Sequence, residues 1–353
     1  MAAIIDASDL TLNPREVETA SEIIFERTYN DSDLSEYHDI ETGVDMDQQI
    51  VFAEKLGLLG KKSSGCTPNA AGGFELSEKF WRPVLEDFRL EHCQADMPAL
   101  LKLFRKAQRI NPDFFDAVGS EEFGVIIAAV EAAMLENIHR KVWFNDTNAA
   151  LASGGGVFTA GTDLGYFNSF DGLFKQILAE VPTTATNYVA ITKNGAANYA
   201  AQALAADEAY GILEKMVAAS DERLAAAEDK FILVTRSIAD NYRATLRNKS
   251  LGNGFLERTE DGTQKLYFDG IEVKTRFDWD RYIKAYQNNG TKYNLPHRAI
   301  MTTKSNIPVS TLSEEDLKKL DVFYDKYKKI NVIDGAYTID AKHLEPYLTV
   351  AAY

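Results

Sequence analysis

The folds open to this chain are limited most by one long helical period. From Ser120 to Arg140, apolar residues recur at Phe123, Ile126, Ile127, Val130, Met134, Leu135 and Ile138, the spacing of a single buried helix face. Ser120-Glu121-Glu122-Phe123 has the chemistry of a helix start, and Trp143-Phe144 ends the pattern. No other helix in the chain is expected to be as long. It runs into Ser153-Gly154-Gly155-Gly156, with a further glycine at Gly161. Glycine backbone can approach a ligand closely or give the chain a place to bend, so the segment is a phosphate cradle or a joint.

The phosphate reading fails on chemistry. Gly156 and Gly161 have the glycine spacing of a phosphate loop, but Thr162 stands where the lysine belongs, and a helix precedes the segment instead of a strand. The dinucleotide pattern fails at Thr159, where its third glycine should be. Gly154, Gly155, Gly156 and Gly161 are therefore read as a flexible joint. No cofactor is expected. His38, His92, His139, His297 and His343 are scattered without metal-ligand spacing. Asp31-Ser32-Asp33 opens like a calcium loop, but Glu36 takes the turn glycine's place and Thr42 that of the bidentate acid. His92 and Cys93, adjacent in an extended segment, point to opposite faces and form no dyad. No catalytic residue is expected.

Charge narrows the partners. The net charge is −15, and residues 1–60 hold fourteen acidic side chains against Arg15, Arg27 and Lys55, a net of −11, so the remaining 293 residues carry −4. Such a chain is a poor non-specific DNA binder, since that binding rests on Lys and Arg. The acidic start is a solvated terminus or an arm that docks on a basic surface. One such surface is expected on a helix from Asp96 to Arg109, where Lys102, Arg105, Lys106 and Arg109 form one face and Leu100, Phe104 and Ala107 another. An ordinary solvated face explains that stripe as well. No apolar run is long enough to span a membrane, and the start lacks the basic region of a signal peptide. Two cysteines, Cys66 and Cys93, make no disulfide framework and suit a reducing compartment.

Local patterns order the rest. A helix is expected from Asn13-Pro14 to Arg27 and a short one over 45–59, so residues 1–73 read as elements on a tether. Phe74 to Cys93 reads as two extended segments broken near Arg82-Pro83, a hairpin. Phe167 to Leu178 is expected to be helical, as is Ala196 to Ala227 in two pieces broken near Ser220-Asp221. The run Phe231-Ile232-Leu233-Val234 is a buried strand. A helix over 238–247, a hairpin over 255–268, a strand over 270–277, a helix over 279–286 and a strand over 297–303 follow, making a small α/β unit. The tail from Phe323 to Tyr353 reads as extended.

This order, with the stretches SEKFWRPVLEDFRLEHC (77–93), HRKVWFNDTNA (139–149), YFNSFDGLFKQI (166–177), LYFDGIEVKTRFDWD (266–280) and PHRAIMTTKSNIPVST (296–311), resembles the major capsid proteins of tailed phages, the Hong Kong 97 type, in the versions carried by phages of Bacteroides-type bacteria. The resemblance implies an α+β capsid fold: an N-terminal arm over 1–73, an extended-loop region over 74–97, and a peripheral domain over 98–190 with its spine helix at 120–140. An axial domain over 191–318 and a C-terminal return over 319–353 complete it. It implies a structural subunit, not an enzyme, that assembles as pentamers and hexamers into a shell around double-stranded DNA without sequence-specific contacts. Portal and scaffold proteins would be partners, with any scaffold a separate protein and no inter-subunit cross-link. Assembly would take place in the host cytoplasm and the product would be the virion. A nanocompartment shell of the same fold is the alternative. A nucleotide-dependent α/β enzyme is the third reading, and it requires a ligand at Gly154–Gly161.

Overall fold

A computed structural model of the chain describes residues 34–53, 76–92, 121–184, 187–249, 256–258, 264–315, 317 and 319–353. Strands β1 (Ile40–Glu41), β2 (Gln48–Ala53), β3 (Leu76–Trp81) and β4 (Val84–His92) come first, followed by helix α1 (Glu121–Phe144). Next are α2 (Leu173–Glu180), β5 (Tyr188–Val189), α3 (Glu208–Ala218), α4 (Glu222–Ala226), β6 (Phe231–Thr235) and α5 (Arg236–Asn248). Then come β7 (Leu256–Arg258), β8 (Gln264–Phe268), β9 (Ile271–Arg276), α6 (Phe277–Tyr286) and β10 (Ala299–Thr302). The last strands are β11 (Val309–Ser310), β12 (Asp321–Asp325), β13 (Ile330–Ala341) and β14 (Val350–Ala352).

A seven-stranded sheet runs β5-β14-β10-β6-β9-β8-β7, with β6/β9 and β5/β14 parallel. Strand β6 at its centre explains the continuous apolar run in its sequence. Alternate residues point to opposite faces, and both faces are buried. Phe231 and Leu233 enter one core, Ile232 and Val234 the other. The first core gathers Val142 and Trp143 of α1, Phe174 and Ile177 of α2, and Trp279 and Ile283 of α6. Its centre is aromatic, with Trp143 and Trp279 ring centroids 4.6 Å apart and Phe174 and Trp279 4.7 Å apart. The second core packs Leu213 and Met216 of α3 and Ile238, Tyr242 and Leu246 of α5 against the opposite face.

A second sheet is built around β13. Strand β4 pairs along it from Val84↔Ile339 to His92↔Asn331, while β12 and β11 pair with its two ends and β1 lies beside β11. Gly335 of β13 lies under the Phe88 ring, which would overlap a Cβ at that position. The cross-strand aromatic covers the bare backbone that would otherwise weaken the strand. Strands β2 and β3 form a separate antiparallel ribbon.

The long helix forms where the periodicity places it and continues to Phe144. Several local expectations are overturned. Where a helix is expected over 45–59, Gln48–Ala53 forms strand β2 instead, because pairing with β3 outweighs local propensity. The two extended segments break at Arg82-Pro83 as expected, but they form no hairpin with each other: β3 pairs with β2 and β4 with β13. Residues 34–53 are not tether. Leu34, Tyr37, His38 and Val44 are buried, and β1 adds to the β13 sheet. Helix α2 starts only at Leu173, because Gly172 sits on the end of α1, where a Cβ would lie 2.9–3.0 Å from Asn145 N and the Lys141 and Val142 carbonyls. The Ala-rich stretch is non-helical before Glu208, though its break at Ser220-Asp221 is as expected. Gln202 there is held by hydrogen bonds to the Tyr293 and Asn194 carbonyls, and tertiary contacts override alanine's helix preference.

Candidate functional site

The β2–β3 ribbon stands apart from both larger sheets. Its register places Gln49, Val51, Glu78 and Phe80 on one face and Ile50, Phe52, Lys79 and Trp81 on the other. Trp81 is buried, whereas Val51 is 55% and Phe80 39% exposed. Gln49 donates a hydrogen bond to Glu78 on that outer face. A two-stranded ribbon is marginal in water by itself, and this one presents apolar side chains outward.

A polar network ties the ribbon's inner face to the body. Lys79 Nζ donates to Glu180 Oε1 at 2.9 Å, to Oε2 at 2.8 Å and to the His343 carbonyl at 2.6 Å. Glu180 Oε2 lies 2.8 Å from His343 Nδ1, and His343 Nε2 lies 2.9 Å from Thr349 Oγ1. Thr349 Oγ1 also accepts from Asn306 Nδ2 at 2.8 Å. Burial lowers the His343 pKa against the pull of Glu180, so the ring is neutral. It donates from Nδ1 to the carboxylate and accepts the threonine proton at Nε2. Burial pushes Glu180 up, but hydrogen bonds from His343 and Lys79 outweigh it and hold the carboxylate below its ordinary value. A hydroxyl, an imidazole and a carboxylate in line have the order of a catalytic triad. Thr349 and His343 are fully buried, so no substrate reaches the hydroxyl and the network is structural. Sequence reading missed it, because His343 and Glu180 are 163 residues apart and no local motif joins them.

The four glycines after α1 have different surroundings. Gly154 and Gly155 have open space where a Cβ would stand. Gly155 and Gly161 adopt φ of 85° and 87°, where a side chain is strained. At Gly156 a Cβ would overlap the Ala150 carbonyl. Backbone hydrogen bonds close the segment: Gly154 N and Gly156 N to Leu151 O at 2.8 and 2.9 Å, Ala152 N to Phe158 O at 2.6 Å, and Phe158 N to Ala150 O at 3.1 Å. Thr159 N donates to Tyr286 O at 2.8 Å, fastening the segment to α6. Gly161 borders a cleft of about 620 Å³ between α1, β4 and α6.

The basic stripe Lys102, Arg105, Lys106 and Arg109 lies outside the described residues. Among the described residues, no group of three or more His, Cys, Asp or Glu could hold a metal ion, and no helix is long and apolar enough to cross a membrane.

A helix-spined body with two cores, a long central pairing of β4 with β13 and a detached ribbon make up the α+β fold of phage capsid shells. The likeness runs along the whole chain. The capsid of cyanophage P-SCSP1u is similar over 99% of this chain and 94% of its own, with a TM-score of 0.56 and 13% identity. The capsid of Myoviridae phage XM1 is similar over 98% and 99%, with a TM-score of 0.53 and 12% identity. The holo-SrpI encapsulin complex from Synechococcus elongatus PCC 7942 is similar over 97% and 95%, with a TM-score of 0.51 and 6% identity. At these identities the likeness establishes the fold. No protein-family model matches the chain, and no curated protein matches it in sequence.

Proposed function

We propose that the protein is a structural shell subunit, the major capsid protein of a tailed phage, assembling as pentamers and hexamers around double-stranded DNA. The observation that carries this reading is the capsid fold shared along nearly the entire length of both chains. The outward-facing Val51 and Phe80 on a marginal ribbon support it, since such a surface is stabilised by a partner. An acidic chain suits a container for DNA, because like charges keep the packaged polymer from sticking. Portal and scaffold proteins belong to this reading, as do assembly in the host cytoplasm and residence in the virion. Lys102, Arg105, Lys106 and Arg109 are proposed as an inter-subunit basic face, and Gly154 to Gly156 with Gly161 as the joint through which subunits in pentamers and hexamers differ. Bending there falls at Gly154 and Gly155, where space is open, because Gly156 is wedged.

A second reading, a nanocompartment shell, is favoured by the likeness to the encapsulin. It differs in diameter and contents. Light scattering and negative-stain electron microscopy over a concentration series test both. Pentamers, hexamers, tubes or closed shells are expected, and particle diameter separates the two readings. A protein that stays monomeric at high concentration, even with the phage's scaffold and portal proteins added, overturns the shell.

A further inference from the structure

The pair Asn-Gly occurs at Asn194-Gly195, Asn253-Gly254 and Asn289-Gly290. In such a pair the asparagine carboxamide carbon and the next backbone nitrogen can close a five-membered ring, because glycine has no Cβ to obstruct the approach. Asn253-Gly254 lies outside the described residues. The fold gives the other two pairs opposite surroundings.

Asn194 is buried, at 5% exposure. Both ends of its carboxamide are held by one residue: Nδ2 donates to the His297 carbonyl at 2.7 Å, and Oδ1 accepts from His297 N at 2.9 Å. The group cannot turn toward Gly195 without breaking those bonds in a site closed to water.

Asn289 and Gly290 are both exposed, in a turn closed by Asn289 N donating to Lys292 O at 3.2 Å. Asn289 Oδ1 accepts three hydrogen bonds, from Thr291 N at 3.0 Å, Thr291 Oγ1 at 2.9 Å and Lys292 N at 2.9 Å. These bonds fold the side chain back across Gly290 and draw electron density from Cγ. The same donors stabilise negative charge that develops on Oδ1 when Cγ is attacked. One contact opposes the reaction: Gly290 N, at a φ of 90°, donates to Asn288 Oδ1 at 2.8 Å, so the attacking nitrogen must first give up a held proton.

We propose that Asn289 is a site of spontaneous covalent modification, converted to aspartate and isoaspartate in the folded chain, while Asn194 is protected. Hydroxide removes the Gly290 N–H proton, the nitrogen bonds to Asn289 Cγ, and the Cγ–Nδ2 bond breaks. The leaving nitrogen takes a proton from water and departs as ammonia, which returns the hydroxide. Water then opens the ring at either carbonyl. Each product carries a carboxylate where a neutral group stood, and isoaspartate adds a carbon to the backbone. The turn that changes also holds Tyr199, whose N donates to Thr291 O at 3.2 Å and whose hydroxyl donates to Asn288 Oδ1 at 2.5 Å. The inference does not depend on the shell reading.

The test incubates the full, unassembled chain at mildly alkaline pH, folded and in urea, and follows both asparagines by peptide mass spectrometry, with isoaspartate separated by chromatography. In urea the two are expected to convert at similar rates. In the folded chain Asn289 is expected to stay within about tenfold of its urea rate, whereas Asn194 falls about a hundredfold or more below its own, since it reacts only when the fold opens. A larger slowing at Asn289, or folded-state conversion of Asn194 as fast as that of Asn289, would overturn the inference.

Discussion

Gly156 and Gly154 look alike in sequence, and only the folded chain separates them. Substituting Gly156 by Ala drives a methyl into the Ala150 carbonyl, so a loss of about 2 kcal/mol or more is expected. Gly154→Ala meets open space and should shift stability by less than about 0.5 kcal/mol. Paired thermal melts check the difference, and equal melting temperatures would mean that the segment is not held as described. At this scale the sequence was legible where chemistry is local. Ser220-Asp221 reads as a helix break, and Asp221 caps α4 there by accepting a hydrogen bond from Arg223 N at 2.9 Å. It was illegible where a residue's role depends on distant partners. Arg276 and Asp278 pair two residues apart, but their burial beneath Tyr37, whose ring lies 4.3 Å from the guanidinium, comes from a segment that reads as a polar tether.

Elements with a strong local signal were legible: α1 from its apolar stripe, β6 from its unbroken apolar run, and the antiparallel pair β7–β8 from the turn-forming residue types between its two strands in the sequence. Pairing across long separations was not. Nothing near residue 50 announces a strand, because β2 is stabilised by a partner distant in sequence, β3, Gln49 opposite Phe80 being one of its pairs. The ribbon's proposed work is tested at the same scale. Replacing Val51 and Phe80 together by Asp puts charges on an already exposed face, so folding is expected to survive within about 1 kcal/mol. Assembly should be lost, because each buried position would desolvate an unpaired carboxylate. Circular dichroism with sedimentation velocity reads both. Particles formed normally by the double variant would remove the ribbon from the interface.

The whole molecule carries an acid sensitivity from its buried histidines. Burial pushes His38 from 6.5 down to about 3, and burial also lowers His297 and His343. The unfolded chain takes these protons near pH 6.5 while the folded chain refuses them. Stability therefore falls as pH drops from 6.5 toward 3, by about 1.4 kcal/mol per pH unit for each proton withheld. Asp280, pushed by burial from 3.8 up to about 6, acts oppositely across that interval, so the net loss is smaller than the histidines alone give. Urea unfolding at pH 7.5 and 5.5 should show lower stability at the acidic value, and His38→Gln should flatten the dependence. A profile identical in the variant would assign the sensitivity elsewhere. The sheet around β13 has another consequence, measured in time. Strand β4 ends at His92, and its partner runs to Ile339, opposite Val84. A ribosome adding about 5 to 20 residues per second needs roughly 12 to 50 s to cover that interval. Until then β4 leaves the ribosome with no partner strand, and the sheet stays open. Over that interval the growing chain carries β4 without β13, so this sheet closes only after Ile339 has been added.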